Sequence, residues 1–475
     1  MTTIADASDD TTAFTPDELA ALAMQFRGAL VTPDDPGYDE ARRLENWAID
    51  KRPALLVRCS GTADVIDGVA LARDRGLPLA IRSGGHHVAG HGSVDDGVVL
   101  DLRAMNGVWV DPVQRTVRVQ GGATWGQVDR ETQAFGLAVP GGVVSTTGVA
   151  GLTLGGGIGW LHRRWGLACD NLVSASLVLA SGELVTASED SNAELFWAIR
   201  GGGGNFGVAV DFTFRAHPVG PEIALAAVFH ALDAAEDLAP QWRDLSLAAG
   251  DEVTTRALYW GMPAVDQLPP PIQGKDVFII GAMYAGGADE GAEAIAEFRN
   301  LGSPLFDMTD FIPHYRAFQA GFDALAVGMH AYWKSLYLND LTDEVLTFIH
   351  TKARERPDPA TLLHVPIMGG ATAAIGADQT AFGDRSAPFM LSIDAQTPDP
   401  AKFDEVRTWS RATFAEASEL PGAGGAYLNF SGDDGGDEAV LGRQYGGNLE
   451  RLRAAKATYD PENFFHVNNN IAPAD

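Results

Sequence analysis

Cysteine is nearly absent: the 475 residues hold only Cys59 and Cys169. Two thiols permit at most one disulfide, which excludes a disulfide framework and a cysteine-built zinc site. Both are expected as buried core thiols. Basic residues are also scarce. Against 63 Asp and Glu stand 34 Lys and Arg, giving a net charge of −29. So acidic a surface argues against nucleic acid and anionic membranes as partners. Long apolar runs are missing too. Met1 to Asp17 is polar and acidic, without the apolar core of a secretory signal, so a cytoplasmic location is expected. The one long uncharged stretch, Ala134 to His162, contains nine glycines and several hydroxyls. It fits ligand-binding loops better than a membrane span.

What is present is ordinary globular material, 46% hydrophobic and 20% charged, in a chain long enough for two domains with their own cores. After a solvated tail and a short helix in the first 28 or so residues, strand-like and helix-like segments alternate. Leu55 to Val57, Pro78 to Arg82, Val98 to Leu102 and Thr116 to Val119 read as strands. Thr62 to Arg75 reads as a helix stopped by Gly76, and Trp125 to Phe135 as a helix closed by Gly136. Beyond Pro218 glycine thins out. Helical stretches are expected at Asp233 to Ala249, broken at Pro240, at Ala288 to Leu301 and at Asp404 to Ala417. They alternate with strands such as Val277 to Ile280 and Phe389 to Ile393.

Three glycine-rich places stand out. In the first, an apolar strand runs into Arg82-Ser83-Gly84-Gly85-His86-His87, so that two glycines let a ligand approach the backbone and His86 follows the turn. The second spans Gly148 to Gly159. It lacks the strand–GxGxxG–helix spacing of a dinucleotide fingerprint, and reads either as a backbone cradle or as a tight loop in a packed core. The third is the run Gly201 to Gly204 followed by Asn205, Gly207 and a strand beginning at Val208. Three such places within one stretch point to a large ligand with several contact regions, and a dinucleotide fits.

Taken together, Arg82-Ser83-Gly84-Gly85-His86, the stretch from Gly148 to Leu161, Gly166 to Asn171, Glu194 to Val208 and the C-terminal Tyr459 to Ile471 resemble the FAD-linked oxidases of the vanillyl-alcohol-oxidase type. The subgroup resembled is the berberine-bridge-enzyme-like one. The resemblance implies an α+β fold: a PCMH-type FAD-binding domain of two subdomains, and a substrate domain with an antiparallel sheet covered by helices. The limits expected are a tail and short helix over 1–34, the FAD domain over 35–218, the substrate domain over 219–426, and a closing segment over 427–475 that completes the FAD domain.

By the same resemblance, FAD would be held by Arg82, Ser83, Gly84, Gly85, His86, His87, Gly142, Thr147, Gly148, Gly151, Gly155, Gly156, Gly157, Gly159, Asn205, Gly207, Val208, Asn468 and Asn470. His86 would carry a covalent link to the flavin 8α position, with His87 and His91 standing nearby. Many relatives add a second link from a cysteine; here that position is Val144, which implies single attachment. Tyr427 and Asn429, in a Y-x-N pattern, would be catalytic, the tyrosine as base or as a pocket wall that orients the substrate. Gly142 matches a position that is small in oxygen-using relatives. Tyr332, Trp333 and Lys334 read as a pocket wall or, more simply, as core aromatics beside a lysine sent to solvent or a carboxylate. His314, Tyr315, His330, His364, Arg385 and Asp394 are further candidates that the sequence does not separate from core or surface.

The activity implied is hydride transfer from a small alcohol, amine or sugar to flavin, with O2 as acceptor and H2O2 as product. No metal is called for, and a monomer or homodimer is expected. An oxidative tailoring or ring-closing enzyme of secondary metabolism is one alternative. A protein that sequesters a quinone drug on the same fold is another.

Overall fold

The computed structural model describes residues 14–220, 222–312, 314–323, 328–432 and 438–474. The first part of the expected N-terminal tail, residues 1–13, lies outside the described residues. The short helix follows as Pro16–Gln25, with Thr15 and Glu18 forming a reciprocal cap at its start.

The FAD-binding part is built on two sheets. In the first, Leu55–Arg58, Val98–Asp101 and Leu79–Arg82 run parallel, and Ala29–Val31 adds an antiparallel edge. Helix Thr62–Arg75 makes the crossover and ends on Gly76 in the left-handed conformation. Its Val65, Val69 and Ala72 pack on Leu55, Val57, Val98 and Leu100. The second sheet is antiparallel, in the order Val108–Asp111, Thr116–Gln120, Val208–Arg215, Leu172–Val178, Leu184–Ser188. The helix expected from Trp125 to Phe135 is α-helical to Thr132 and tightens into a 3-10 turn before Gly136.

Residues 223–397 supply an eight-stranded antiparallel sheet. Its main path is Phe306–Asp307, Ile223–Ala231, Asp276–Tyr284, Val253–Gly261, Leu362–Pro366, Phe389–Thr397, His330–Leu338, and Asp310–Ile312 pairs with the second of these. The two faces follow from strand alternation. Val228, Ala257, Ile280, Leu363 and Ile393 face one core, with Trp242, Val345 and Ile349 from the covering helices Ala235–Ala248 and Asp343–Glu355. Their neighbours Phe229, Leu258, Ile279, His364 and Asp394 line a cavity on the opposite face. The architecture is thus the expected one: two α+β subdomains for FAD and a sheet-plus-helix substrate domain.

Two element expectations need correction. Helix Ala235–Ala248 runs through Pro240 unbroken. Leu238, Ala239 and Trp242 are buried on both sides of the proline, and that burial outweighs one missing backbone hydrogen bond. The helix expected over Ala288 to Leu301 is two pieces, Ala288–Ala294 and Ala296–Arg299. Cys59 and Cys169 are free, buried thiols.

The C-terminal helix Leu449–Tyr459 brings the chain back to the FAD-binding part. Lys456 and Asp460 form a fully buried ion pair at 2.7 Å. Lys456 Nζ also donates to the Asn205 and Phe465 carbonyls, and Asp460 accepts from the Phe464 and Phe465 amides. All three Lys456 N–H groups and both Asp460 oxygens are engaged, so removing one partner leaves a buried charge alone. Lys456→Met is expected to cost about 3–5 kcal/mol in urea unfolding.

Candidate active site

A single cavity of about 730 Å³ lies between the glycine-rich loops and the substrate sheet. On the loop side it is lined by Ser83, Gly84, Gly85, His86, His87, Thr147, Gly148, Gly151, Asn205, Gly207 and Asn468. All eleven were expected to hold FAD, although they come from four separate stretches of chain. Gly203, Gly204 and Asn469 join them. The Asn468 amide donates to the Gly204 and Phe465 carbonyls, while Asn205 donates to Gly202 and Asn469 and accepts from Ile471. The C-terminal segment is thereby laced onto the third glycine cluster.

These residues fit a large, polar, flat ligand. Ser83 Oγ and Asn468 Oδ1 are buried without a partner, which is costly unless a ligand supplies one. A methyl group on Gly151 or Gly204 would meet no protein atom within 4 Å; the space in front of them belongs to the cavity.

Other expected FAD contacts sit behind the wall. Arg82 is 1% exposed and its guanidinium donates to the Ala41, Arg42 and Gly92 carbonyls, so it braces the turn that carries His86. Gly155, Gly156, Gly157 and Gly159 are small because the chain packs on itself there. A Cβ on Gly155 would lie 2.1 Å from the Asn429 side chain, and one on Gly159 2.1 Å from the Gly141 carbonyl oxygen. Gly156 and Gly157 have φ of 113° and 91°, the region that favours glycine. Val208 is buried at the start of its strand, and Asn470 does not reach the cavity. Gly142 also lies behind it: its carbonyl accepts from Gln319, and a Cβ would press on Leu152 at 3.0 Å.

The two kinds of glycine separate experimentally. Gly151→Ala is expected to fold normally and lose FAD, because its methyl enters the ligand's space. Gly159→Ala is expected to lose about 1–3 kcal/mol of stability with or without FAD, from overpacking against backbone. Thermal melts of the apo and FAD-loaded forms check both.

His86 and His87 both line the cavity, but their rings differ. The His87 Nδ1 lone pair accepts the Ala89 amide at 3.2 Å, and its ring lies 4.3 Å from that of His91. Burial pushes His87 well below the ordinary imidazole range. Burial also lowers His86, whose ring donates to the Thr146 carbonyl. His86 is therefore neutral, with one nitrogen lone pair not claimed by that bond. Val144 lines the cavity where a cysteine would be needed for a second link, and neither Cys59 nor Cys169 does.

Tyr427 departs from its expected role. It is 1% exposed and is not part of the cavity wall. Its hydroxyl accepts from the Gly157 and Ile158 amides at 3.1 Å and from Asn429 Nδ2 at 2.9 Å. Burial pushes the phenol up to about 12, against the opposing pull of these donors. It props the Gly155–Gly157 loop, and Asn429, which also donates to the Leu152 carbonyl, is the member of the pair that reaches the cavity.

On the sheet side the polar groups cluster. Asp394 accepts from Ser392 Oγ at 2.5 Å and stands 3.2 Å from His364 Nε2. His364 Nδ1 is buried and has no partner. Arg256, on the adjoining strand, and Trp333, whose ring meets Phe430 edge-on at 5.7 Å, complete the group. Burial lowers Arg256 to about 10, so it remains charged at neutral pH. The other candidates lie elsewhere. Tyr315 is buried outside the wall, His314 and His330 do not line it, and Arg385 is locked to Asp170 at 2.7 Å. Lys334 is buried over the Phe414 ring rather than solvated. Sequence reading missed Arg256; a lone charge in an apolar strand was the available signal. Among the described residues, no group of three or more His, Cys, Asp or Glu side chains is arranged to hold a metal. No described helix is long and apolar enough to cross a membrane.

Comparison with known proteins places this geometry. Residues 53–188 match the FAD binding domain model, and residues 426–472 match the berberine and berberine-like model. The chain is 30% identical to (R)-6-hydroxynicotine oxidase of Paenarthrobacter nicotinovorans, over 95% of this chain and 98% of that one. It is 31% identical to the FAD-linked oxidoreductase pgmH of Aspergillus terreus, over 98% of each. The crystal structure of 6-hydroxy-D-nicotine oxidase from Arthrobacter nicotinovorans superposes with a TM-score of 0.82 at 27% identity, covering 94% of this chain and 98% of that one. The chain belongs to the PCMH-type, berberine-bridge-like family of FAD-linked oxidoreductases, enzymes that act on small organic molecules.

Proposed function

We propose that the protein is an oxidase that holds FAD covalently through His86 alone and oxidises a small organic alcohol or amine lying between the glycine loops and the substrate sheet. The observation that carries this reading is the continuity of the cavity, from His86 and the glycine cradle to the His364–Asp394 pair. Bound FAD supplies the hydride acceptor and passes the electrons to O2.

The protein's own part is binding, orientation and proton removal. Ser83, Asn205, Asn468 and the glycine backbone hold the cofactor, and His86 tethers it. With Asp394 fixing the proton on Nε2, the His364 lone pair is left on Nδ1, a buried atom with no other partner on a residue of the cavity wall, and a general base for a substrate O–H or N–H needs such a lone pair. Asn429 offers a side-chain amide at the wall, and Tyr427 holds it in place.

An oxygen-electrode screen across alcohols, amines and sugars, with H2O2 detection, tests the reading. Steady O2 consumption matched by H2O2 is expected for at least one class. Stoichiometric binding of quinones without turnover would instead support the sequestering alternative.

The neutral state of His86 has its own test. Burial lowers the pKa, so the unprotonated ring persists into mildly acid solution. Covalent incorporation of FAD into apoprotein is expected to stay rapid as pH falls past ~6.5, the ordinary histidine value, and to fail only below it. An incorporation midpoint at or above that value would contradict the assignment.

A further inference from the structure

The polar group on the substrate sheet contains a buried cation that Asp394 offsets only from beyond ion-pairing distance. Arg256 is 4% exposed and lines the cavity. Its Nε and Nη2 are buried without a hydrogen-bond partner, and among the described residues no carboxylate comes within ion-pairing distance of it. Asp394, the carboxylate on the same wall, is already engaged by Ser392 and His364. The Trp160 ring, 4.8 Å from the guanidinium carbon, holds the group in place from one side. A buried arginine with open donors is an expensive arrangement unless an anion arrives to meet it.

Beyond the His364, Asp394 and Gln396 side chains, the sheet side of the wall is largely hydrocarbon. Leu225, Phe229, Leu258, Trp260, Met262 and Ile279 line the sheet side. A polyhydroxylated substrate would leave most of its hydroxyls unpaired against such a surface.

Building on the oxidase reading, we infer that the substrate is an aromatic or otherwise apolar molecule bearing one anionic group, a carboxylate or an equivalent oxyanion, which Arg256 receives through its open N–H groups. The planar guanidinium suits a two-oxygen anion. Its place beside His364 on the adjacent strand sets the anionic group next to the position undergoing oxidation.

The test uses 2-naphthoate and its uncharged partner 2-naphthamide as probes of the FAD-loaded protein, with binding measured by isothermal titration calorimetry. Wild type is expected to bind the carboxylate about 30-fold more tightly than the amide, on the order of one charge-assisted hydrogen bond. Arg256→Gln should abolish that preference while leaving amide binding unchanged, and Arg256→Lys should keep part of it. Equal wild-type affinities for the two probes would overturn the proposal without any variant. So would a carboxylate preference that survives in Arg256→Gln. Acid-precipitated flavin fluorescence is followed in the same samples. A protein that holds flavin but shows no carboxylate preference refutes this inference alone, whereas loss of flavin from wild type refutes the covalent reading beneath it.

Discussion

In His86→Ala protein, the acid-precipitated polypeptide is expected to carry no flavin fluorescence under ultraviolet light, while His87→Ala retains it fully. The difference rests on ring chemistry. Attachment needs a neutral imidazole with a lone pair free to bond carbon. Burial keeps both rings neutral, but the His87 lone pair at Nδ1 is occupied by the Ala89 amide. Val144 offers no thiol for a second link, and the His91 ring, the other imidazole on the loop side, stacks against His87 at 4.3 Å. The loss in His86→Ala is therefore expected to be complete, not partial. FAD should still bind reversibly, because the glycine cradle and Asn468 are untouched. Fluorescence surviving in His86→Ala would move the link to another residue.

Asp394→Asn is expected to lower kcat by about 10²- to 10⁴-fold, with a smaller change in KM. The carboxylate accepts from His364 and from Ser392. An amide there can present its NH2 to the imidazole, reversing the tautomer and placing a proton on Nδ1 where the lone pair is needed. His364→Gln should lose as much, and the double variant little more, because the two side chains act as a unit. If Asp394→Asn and His364→Gln both keep wild-type kcat, the base lies elsewhere.

The loop side of the cavity was legible because its signal is local. A strand running into two glycines, or an asparagine after four glycines, announces a close backbone approach within a few residues. The same logic misplaced Gly155, Gly156, Gly157 and Gly159, since glycine serves equally where the chain packs against itself, and only the surroundings separate the two uses. The substrate wall was not legible. Arg256, His364 and Asp394 meet through antiparallel register, which pairs Leu258 with His364 and His364 with Ser392. Nothing in three strands far apart in sequence specifies that register. Tyr427 was overread for a related reason: a Y-x-N pattern fixes the spacing, but the loop at Gly157 decides which of the two side chains reaches the cavity.

The buried Lys456–Asp460 pair and the asparagines behind it also impose an order in time. Asn205 and Phe465 are held by side chains near the end of the chain, so the cradle has only three of its four walls until residues 456–471 have left the ribosome. Cofactor capture is therefore expected to wait for that segment, and a polypeptide stalled or clipped before it is expected to hold little flavin however well its other domains had folded.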